Sequence, residues 1–345
     1  MSARRLSLKA ALLLSLSLPC ALPCAPAMAQ NADQLFAKKT VTIFIGNTSG
    51  GSYDLYGRMV ARFLGKHLPG QPTVVASNMP GAGTLKAANF IYEVAPKDGT
   101  AIGIVTETLA LEQAVANPAV QFDATKFIWM GRVASSNNIH FQWHTAKVQS
   151  IEEAKTTESP VAAAGAGNIS EVVPNLLNKV LGTKFQVISG YPASAESMLA
   201  MERGEVEGTA SSWAAVKTGK KAWLADKKIK IILQDVPTRS ADLPDVPALG
   251  ELGDNADDKA LLGLYASGGA IGRAFILPPG TNPAAVKALQ TGFMAMVKDP
   301  EFLAEMDKAS VDVDPMGPDE LAANIRQTLA TSPAVIARAK ALFGR

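Results

Sequence analysis

Cysteine is nearly absent. The 345-residue chain has two, Cys20 and Cys24, and both lie in an N-terminal export-like segment. Past that segment no disulfide can staple the chain, and neither a thiolate nucleophile nor a sulfur ligand for a metal is available. Histidine is scarce too, with only His67, His140 and His144. His140 and His144 stand at a metal-like spacing, but Ile139-His-Phe-Gln-Trp143 reads as a strand and no nearby acidic pair completes a ligand set. No metal site is expected. Aromatic residues make up 6% of the chain, and no Lys/Arg stripe interleaves with them, which argues against nucleic acid. Beyond the N-terminus no apolar run approaches the roughly 20 residues that a membrane-spanning helix needs.

The N-terminus explains the export reading. Arg4, Arg5 and Lys9 precede an apolar stretch from Ala10 to Leu18, and Ala27-Met28-Ala29 is a small-x-small cleavage site before Gln30. Residues 1–29 therefore read as a signal peptide cleaved after Ala29, with Pro19, Pro23 and Pro26 opposing a stable helix. Pro19 and Pro23 also occupy the positions before each cysteine where a lipid-anchoring signal wants a small residue. Removing this segment takes away three basic residues and no acidic one, leaving 30 of the 33 Lys+Arg against 31 Asp+Glu. The mature chain is close to neutral and long enough to bury a large core in two domains.

Strands and helices alternate for most of the length, which predicts an α/β fold with largely parallel sheets. Strands are expected over 41–45, 74–76, 100–105, 139–143, 160–164, 185–188 and 229–233. Helices are expected over 55–68, 84–94, 170–181 and 194–203, with three closing helices over 282–298, 300–309 and 318–343. The segment 127–133, followed by Ser135-Ser136-Asn137-Asn138, reads as a crossover into a second domain.

Three glycine-rich turns sit between an apolar strand and a helix start: Gly46–Asp54, Asn78–Thr84 and Gly165–Ser170. The first N–H groups of a helix have no intrahelical acceptor and lie at the positive end of the dipole, so such turns can cradle an anion. The ligand-binding candidates are Ser49, Gly50, Gly51, Ser52, Tyr53, Asn78, Gly81, Ala82, Gly83, Thr84, Gly167, Asn168, Ser170 and Tyr191. Ser49, Ser52, Asn78, Thr84, Asn168 and Ser170 are equally good helix N-caps. Asp54, in a first helical turn, reads as a dipole partner rather than a ligand contact, since a carboxylate would repel an anion. Tyr53, Trp213 and Tyr265 can line a cleft or join the core. A nucleophile elbow is missing, because neither Ser49 nor Ser52 stands in Gly-x-Ser-x-Gly. Gly81-Ala-Gly83 and Gly165-Ala-Gly167 lack the third glycine of a dinucleotide fingerprint, with Lys86 and Ser170 in its place. Catalytic residues and cofactors are therefore not expected.

Several motifs in order resemble the Bug family, the extracytoplasmic solute receptors of tripartite tricarboxylate transporters. They are Gly-Gly-x-x-Asp (50–54), Arg58, Asn-x-Pro-Gly-Ala-Gly (78–83), Ala-Pro-x-Asp-Gly-Thr (95–100), Arg239-Ser240 with Leu-Pro-Asp-Val-Pro (243–247), Asp299-Pro-Glu-Phe302 and Pro318-Asp-Glu-Leu321. The resemblance implies a two-lobed periplasmic binding protein fold, type II-like, with a hinge and a ligand cleft between the lobes. It implies a small carboxylate as ligand, membrane subunits of such a transporter as partners and a periplasmic location; a monomer is expected. The lobes are expected over 30–136 plus 268–345 and over 137–267. The resemblance also implies that the loops at 50–54, 78–84 and 165–170, with the helix start after Tyr191, meet at the ligand.

The chain departs from the family pattern at Gly46–Gly50, at Tyr191-Pro192-Ala193, at Ser170-Glu171-Val172, and over Tyr265–Leu277, a stretch that contains Gly268, Gly269 and Arg273. These changes lie at or near the expected cleft, so the ligand of better-known members does not transfer. Two other readings stay open: an exported enzyme acting on a small anion, and a ligand-sensing receptor not dedicated to uptake.

Overall fold

The computed structural model describes residues 35–163, 168–191 and 194–342. The expected signal peptide and its cleavage site lie outside the described residues. In chain order the elements are β1 (Thr40–Ile45), α1 (Ser52–Leu64), β2 (Thr73–Asn78), α2 (Leu85–Glu93), β3 (Ala101–Ile104), α3 (Leu109–Ala114) and β4 (Ile128–Arg132). There follow β5 (Asn138–Trp143), α4 (Ile151–Thr156), β6 (Ser159–Ala163), α5 (Ile169–Leu181), β7 (Phe185–Ser189), α6 (Ser194–Glu202), β8 (Gly208–Ser212), α7 (Trp213–Gly219), α8 (Lys221–Ala225) and β9 (Ile229–Gln234). The chain closes with α9 (Ala256–Ile271), β10 (Ala274–Leu277), α10 (Pro283–Met296), α11 (Pro300–Lys308), α12 (Pro318–Leu329) and α13 (Pro333–Leu342).

Alternation in β1 shows how one layer builds. Val41, Ile43 and Ile45 are fully buried in one core, while Phe44 points to the other face and meets Phe90 at 4.8 Å between ring centroids. The helix α1 covers the first face with Tyr56, Val60, Phe63 and Leu64, a stripe at helical spacing. Gly57 lets α1 lie against β1, since a Cβ there would come within 2.8 Å of the Ile45 side chain. That seating fixes the α1 N-terminus over the carboxyl end of β1.

The two sheets have orders β2-β1-β3-β10-β4 and β7-β6-β8-β5-β9. The expectation of largely parallel sheets needs correction. Pairings β1–β2, β1–β3, β6–β7 and β6–β8 are parallel, but β10 runs antiparallel to β3 and β4, and β5 antiparallel to β8 and β9. In each sheet one strand enters from the other side of the molecule, and a strand that arrives by a crossover need not follow the parallel βαβ direction. Several elements went unanticipated or changed: the short helices α3, α4, α7 and α8 were not expected, and the segment read as a crossover over 127–133 forms β4. β8 is Gly-Thr-Ala-Ser-Ser, too small and polar to signal a strand; Gly208 there leaves room for the Gln142 amide, which a Cβ would meet at 2.5 Å. α9 carries Gly263, Gly268 and Gly269, which argue against a helix locally. β10 is a four-residue strand within the long Tyr265–Leu277 stretch. The expected helix over 318–343 is broken into α12 and α13 before Pro333.

Between the sheets the chain passes once from β4 to β5 and once from α9 to β10. These passages pair with each other through Val133 N to Arg273 O (3.0 Å), Arg273 N to Ala134 O (2.8 Å) and Ser136 N to Gly269 O (3.0 Å). A Cβ on Gly269 would meet the Asp235 carbonyl at 2.7 Å and the Ser136 carbonyl at 3.1 Å, so α9 lies directly on this backbone. α13 packs Val335 and Ala339 into the second sheet's core.

Asp235 sits at this crossing just past β9, 3% exposed, with its N–H donated to Asn138 O and its Oδ1 without a partner. Burial, reinforced by the Glu107 charge, pushes its carboxyl up to about 8 from 3.8. A carboxyl that keeps its proton in the folded state while the unfolded chain loses it makes stability fall as pH rises from about 4 to about 8. Asp235→Asn should therefore be more stable than wild type by about 4 kcal/mol at pH 7, with the gain vanishing near pH 4. Urea unfolding of both proteins across that range tests this, and a pH-independent difference contradicts it.

Candidate functional site

Three parallel strands end together. In register Ile45 pairs with Asn78 and with Ile104, so the turns after β1, β2 and β3 emerge at one edge of the first sheet. That edge is where ligands bind in open α/β sheets. The α1 N-terminus there has Gly51 as N-cap, with no side-chain cap. Gly50 (φ +90°) turns the chain into the helix, and a Cβ on Gly50 or Gly51 would meet nothing within 4 Å. Ser49, Gly50, Gly51 and Ser52 are exposed, and Tyr53 is half-buried.

Asp54 is the fastener beneath this turn. Its carboxylate accepts from Gly50 N (3.0 Å), Arg58 Nε (3.0 Å) and Asn78 Nδ2 (2.8 Å). Asn78 also donates to Asn47 O (3.0 Å) and accepts from Arg58 Nη2 at 2.8 Å. The Arg58 bond, helped by the Gly50 and Asn78 donors against the cost of burial, holds the Asp54 carboxyl down at about 2. Asn78 thus ties the second turn to the first, with both ends of its amide engaged inside the loops.

The second turn is strained. Gly81, Ala82, Gly83 and Thr84 all have positive φ, and two of these four are not glycine. Such backbone costs energy and persists where its surroundings enforce it, a pattern that clusters at ligand clamps. Thr84 supplies part of that enforcement: it is buried, and its Oγ1 accepts from Thr106 N at 3.1 Å. Gly81, Ala82 and Gly83 stay exposed.

The third turn, after β3, was not read from the sequence. Glu107 accepts from the Tyr53 hydroxyl (3.1 Å) and from Arg273 Nη1 (2.7 Å), and its N–H donates to the Tyr53 oxygen at 3.0 Å. Arg273 Nη2 reaches Ser52 Oγ at 3.2 Å. Burial, together with the Glu107 charge, drives the Tyr53 phenol well above its ordinary range. Arg273 had shown itself only as part of an unusual stretch. Glu107 was findable in principle, because it follows the third parallel strand as the other turns follow theirs.

In the second lobe the carboxyl ends of the parallel strands β6, β7 and β8 lie side by side in the same way. Asn168 caps α5, its Oδ1 accepting from Ser170 N (3.0 Å) and Ser170 Oγ (2.8 Å). Gly167 lies outside the described residues. Tyr191 donates its N–H to Ala163 O and packs half-buried in the core under β5. The bridge between the lobes comes from a residue that the sequence did not single out. Lys217 on α7 donates to Asp242 (2.8 Å) and lies 3.3 Å from Asp312, whose carbonyl accepts from the Tyr56 hydroxyl at 2.8 Å. Trp213 opens α7, bonds Asn137 O through its N–H and Asp242 through its indole. Tyr265 packs on the second core.

A groove of about 910 Å³ opens elsewhere, between α9, α12 and the 236–240 loop, and none of the expected site residues lines it. Both of its arginines are already taken, Arg132 by Asp314 at 2.7 Å and Arg239 by Glu251 at 2.8 Å, and its lysine, Lys259, is exposed. For an anion the loop edge of the first sheet is the better-equipped place. The histidines do not supply it with a base. His67 pairs with Asp299, His144 is exposed, and burial pushes His140 down to about 4. Among the described residues no group of three or more His, Cys, Asp or Glu could hold a metal ion, and no helix is long and apolar enough to cross a membrane.

Comparison with known proteins bears on the whole of this arrangement. A curated relative from Cupriavidus necator, the UPF0065 protein in gbd 5'region, is 28% identical over 90% of this chain and 90% of its own. The TctC solute binding protein from Polaromonas superposes with TM-score 0.66 at 19% identity, covering 87% of this chain and 98% of that one. A protein of R. palustris solved with adipate superposes with TM-score 0.57 at 19% identity, covering 88% and 97%. These structures establish the periplasmic binding protein fold. The family described as tripartite tricarboxylate transporter family receptor matches residues 57–341, from α1 to α13. The chain belongs to that receptor family.

Proposed function

We propose that this protein captures a small carboxylate between its lobes in the periplasm and hands it to the membrane subunits of a tripartite tricarboxylate-type transporter. The observation that carries the reading is the open α1 N-terminus: Gly50, Gly51 and Ser52 are exposed, lack a side-chain cap and adjoin a cation, Arg273. Helix N–H groups of this kind favour an anion at low cost, because they are already oriented. The solved relative with adipate supports the chemical class. The reading takes 30–136 plus 268–345 as one lobe and 137–267 as the other, with the later junction inside α9 and α13 docked on the second core. It also takes residues 1–29 as a cleaved signal, the protein as a monomer, and its action as binding without turnover.

Lobe closure follows from the same reading. A ligand seated on the first-lobe turns is covered by the second lobe, and Lys217 holds that cover through Asp312. Excluding water strengthens each hydrogen bond to the carboxylate.

Purified mature protein, warmed with a panel of succinate, malate, adipate and benzoate, should melt at higher temperature with at least one member and convert none. Turnover of any of them sinks the binding reading. Gly51→Val should fold with only a modest loss of stability, since its side chain enters open space and only the N-cap preference for Gly over Val is lost, yet lose binding because that space is the cradle. Unimpaired binding in a folded Gly51→Val protein would remove the cradle from α1. Lys217→Met should weaken binding by about 2- to 5-fold, the size expected for a half-exposed ion pair, mainly through faster release in stopped-flow dissociation.

A further inference from the structure

We propose that Arg273 reads the ligand carboxylate directly and that Glu107 competes with the ligand for it. This rests on the binding role proposed above and adds the residue that selects for charge. Arg273 lies where α9 turns into β10, and its backbone is held on both sides, N–H to Ala134 O and carbonyl from Val133 N. Its guanidinium stacks 4.2 Å from the Tyr53 ring centroid and 5.9 Å from that of Tyr56, which fixes its plane. The side chain is 14% exposed.

The guanidinium is incompletely used. Nη1 donates to Glu107 at 2.7 Å, Nη2 reaches Ser52 Oγ at 3.2 Å, and the buried Nε has no partner. The Nε and Nη2 edge is a rigid fork suited to both oxygens of a carboxylate. Here the fork is closed by one long contact to the hydroxyl of an exposed serine, which is the first residue of α1. A carboxylate is a far better acceptor for a cation than a hydroxyl. An anion settling on Gly50–Ser52 therefore displaces Ser52 Oγ and takes the helix N–H groups and the guanidinium edge together.

Glu107 sets the threshold for that exchange. It holds Nη1, and its charge opposes an incoming carboxylate. A neutral amide gains little from the cation, whereas a carboxylate offsets its larger desolvation cost by pairing with it, so Arg273 selects for charge and Glu107 tempers the affinity of whatever anion arrives.

The test uses succinate, malate, adipate and benzoate, each with its amide, titrated calorimetrically into the mature protein and its variants. Arg273→Met should weaken carboxylate binding by about 10- to 100-fold, the worth of a hydrogen bond to a charged group. Arg273→Lys should recover part of it. Glu107→Gln should bind the same carboxylate more tightly, by about 3- to 10-fold, because it frees the cation. Amide binding should not differ among these proteins. The double variant Arg273→Met/Glu107→Gln leaves no buried charge unpaired and carries the test where Arg273→Met alone fails to fold; it should bind as weakly as Arg273→Met. If the pair only braces Tyr53, Arg273→Met and Glu107→Gln will weaken binding alike, and the inference is overturned. Unchanged affinity in Arg273→Met, or in the double variant, overturns it too. Absence of carboxylate binding by the wild type defeats the underlying binding reading instead.

Discussion

Two stretches of backbone cross between the sheets, and they are bonded to each other at Val133, Ala134 and Ser136 on one side and Gly269 and Arg273 on the other. Much of the site depends on this contact. It is made backbone to backbone, with Gly269 and Gly272 admitting an approach that a side chain would block. Because no flexible side chain intervenes, the relation of the two sheets is set closely at this point. Arg273 is itself one of the bonded residues, so the same hydrogen bonds that join the sheets aim its guanidinium at Glu107, Tyr53 and Ser52.

Around that crossing, charges are arranged in pairs that neutralise one another without being buried alone. Asp54 meets Arg58, Arg273 meets Glu107, and Lys217 meets Asp242 and Asp312. Pairing avoids the large cost of an isolated buried ion. It also leaves the first-lobe turns with little net charge, so in the proposed reading attraction for an anion comes chiefly from oriented N–H groups and from a cation that must be won from its partner. Such an arrangement tempers affinity for an anion, because the pairing already satisfies part of the cation. Asp235 is the exception, a buried carboxyl with no cation opposite it, and it stays neutral instead.

The first-lobe turns show how strain and fastening combine. Ala82 and Thr84 hold positive φ in a turn that would relax if free. Leu85 is buried and Thr84 is bonded to Thr106, while Asn78 bonds to Asp54 and Asn47. The unfavourable conformation is thus gripped at both ends by groups engaged within the loops. Gly50, Gly51 and Gly83 are left facing open space. The polar side chains expected to touch ligand therefore divide, with Ser49 and Ser52 exposed while Asn78, Thr84 and Asn168 fix the loops.

What the sequence determined by itself was local. Apolar strands followed by glycine turns and amphipathic helices placed β1, β2, β3, β5, β6, β7 and β9 within a residue or two, together with α2, α5 and α6, because period and turn chemistry are written in neighbouring residues; α1 was expected over 55–68 but runs Ser52–Leu64. The ordered motifs were enough to indicate the receptor family. Tertiary structure decided what depends on residues far apart in the chain. β8 is too small and polar to announce itself and exists because Gly208 accommodates Gln142 from another strand. α9 tolerates its glycines because they press on the crossing backbone. Glu107 and Arg273 are separated by 166 residues and share one ion pair. No spacing rule reaches that far, and the cation that faces the cradle became visible only when the crossover brought it back to the first turn of α1.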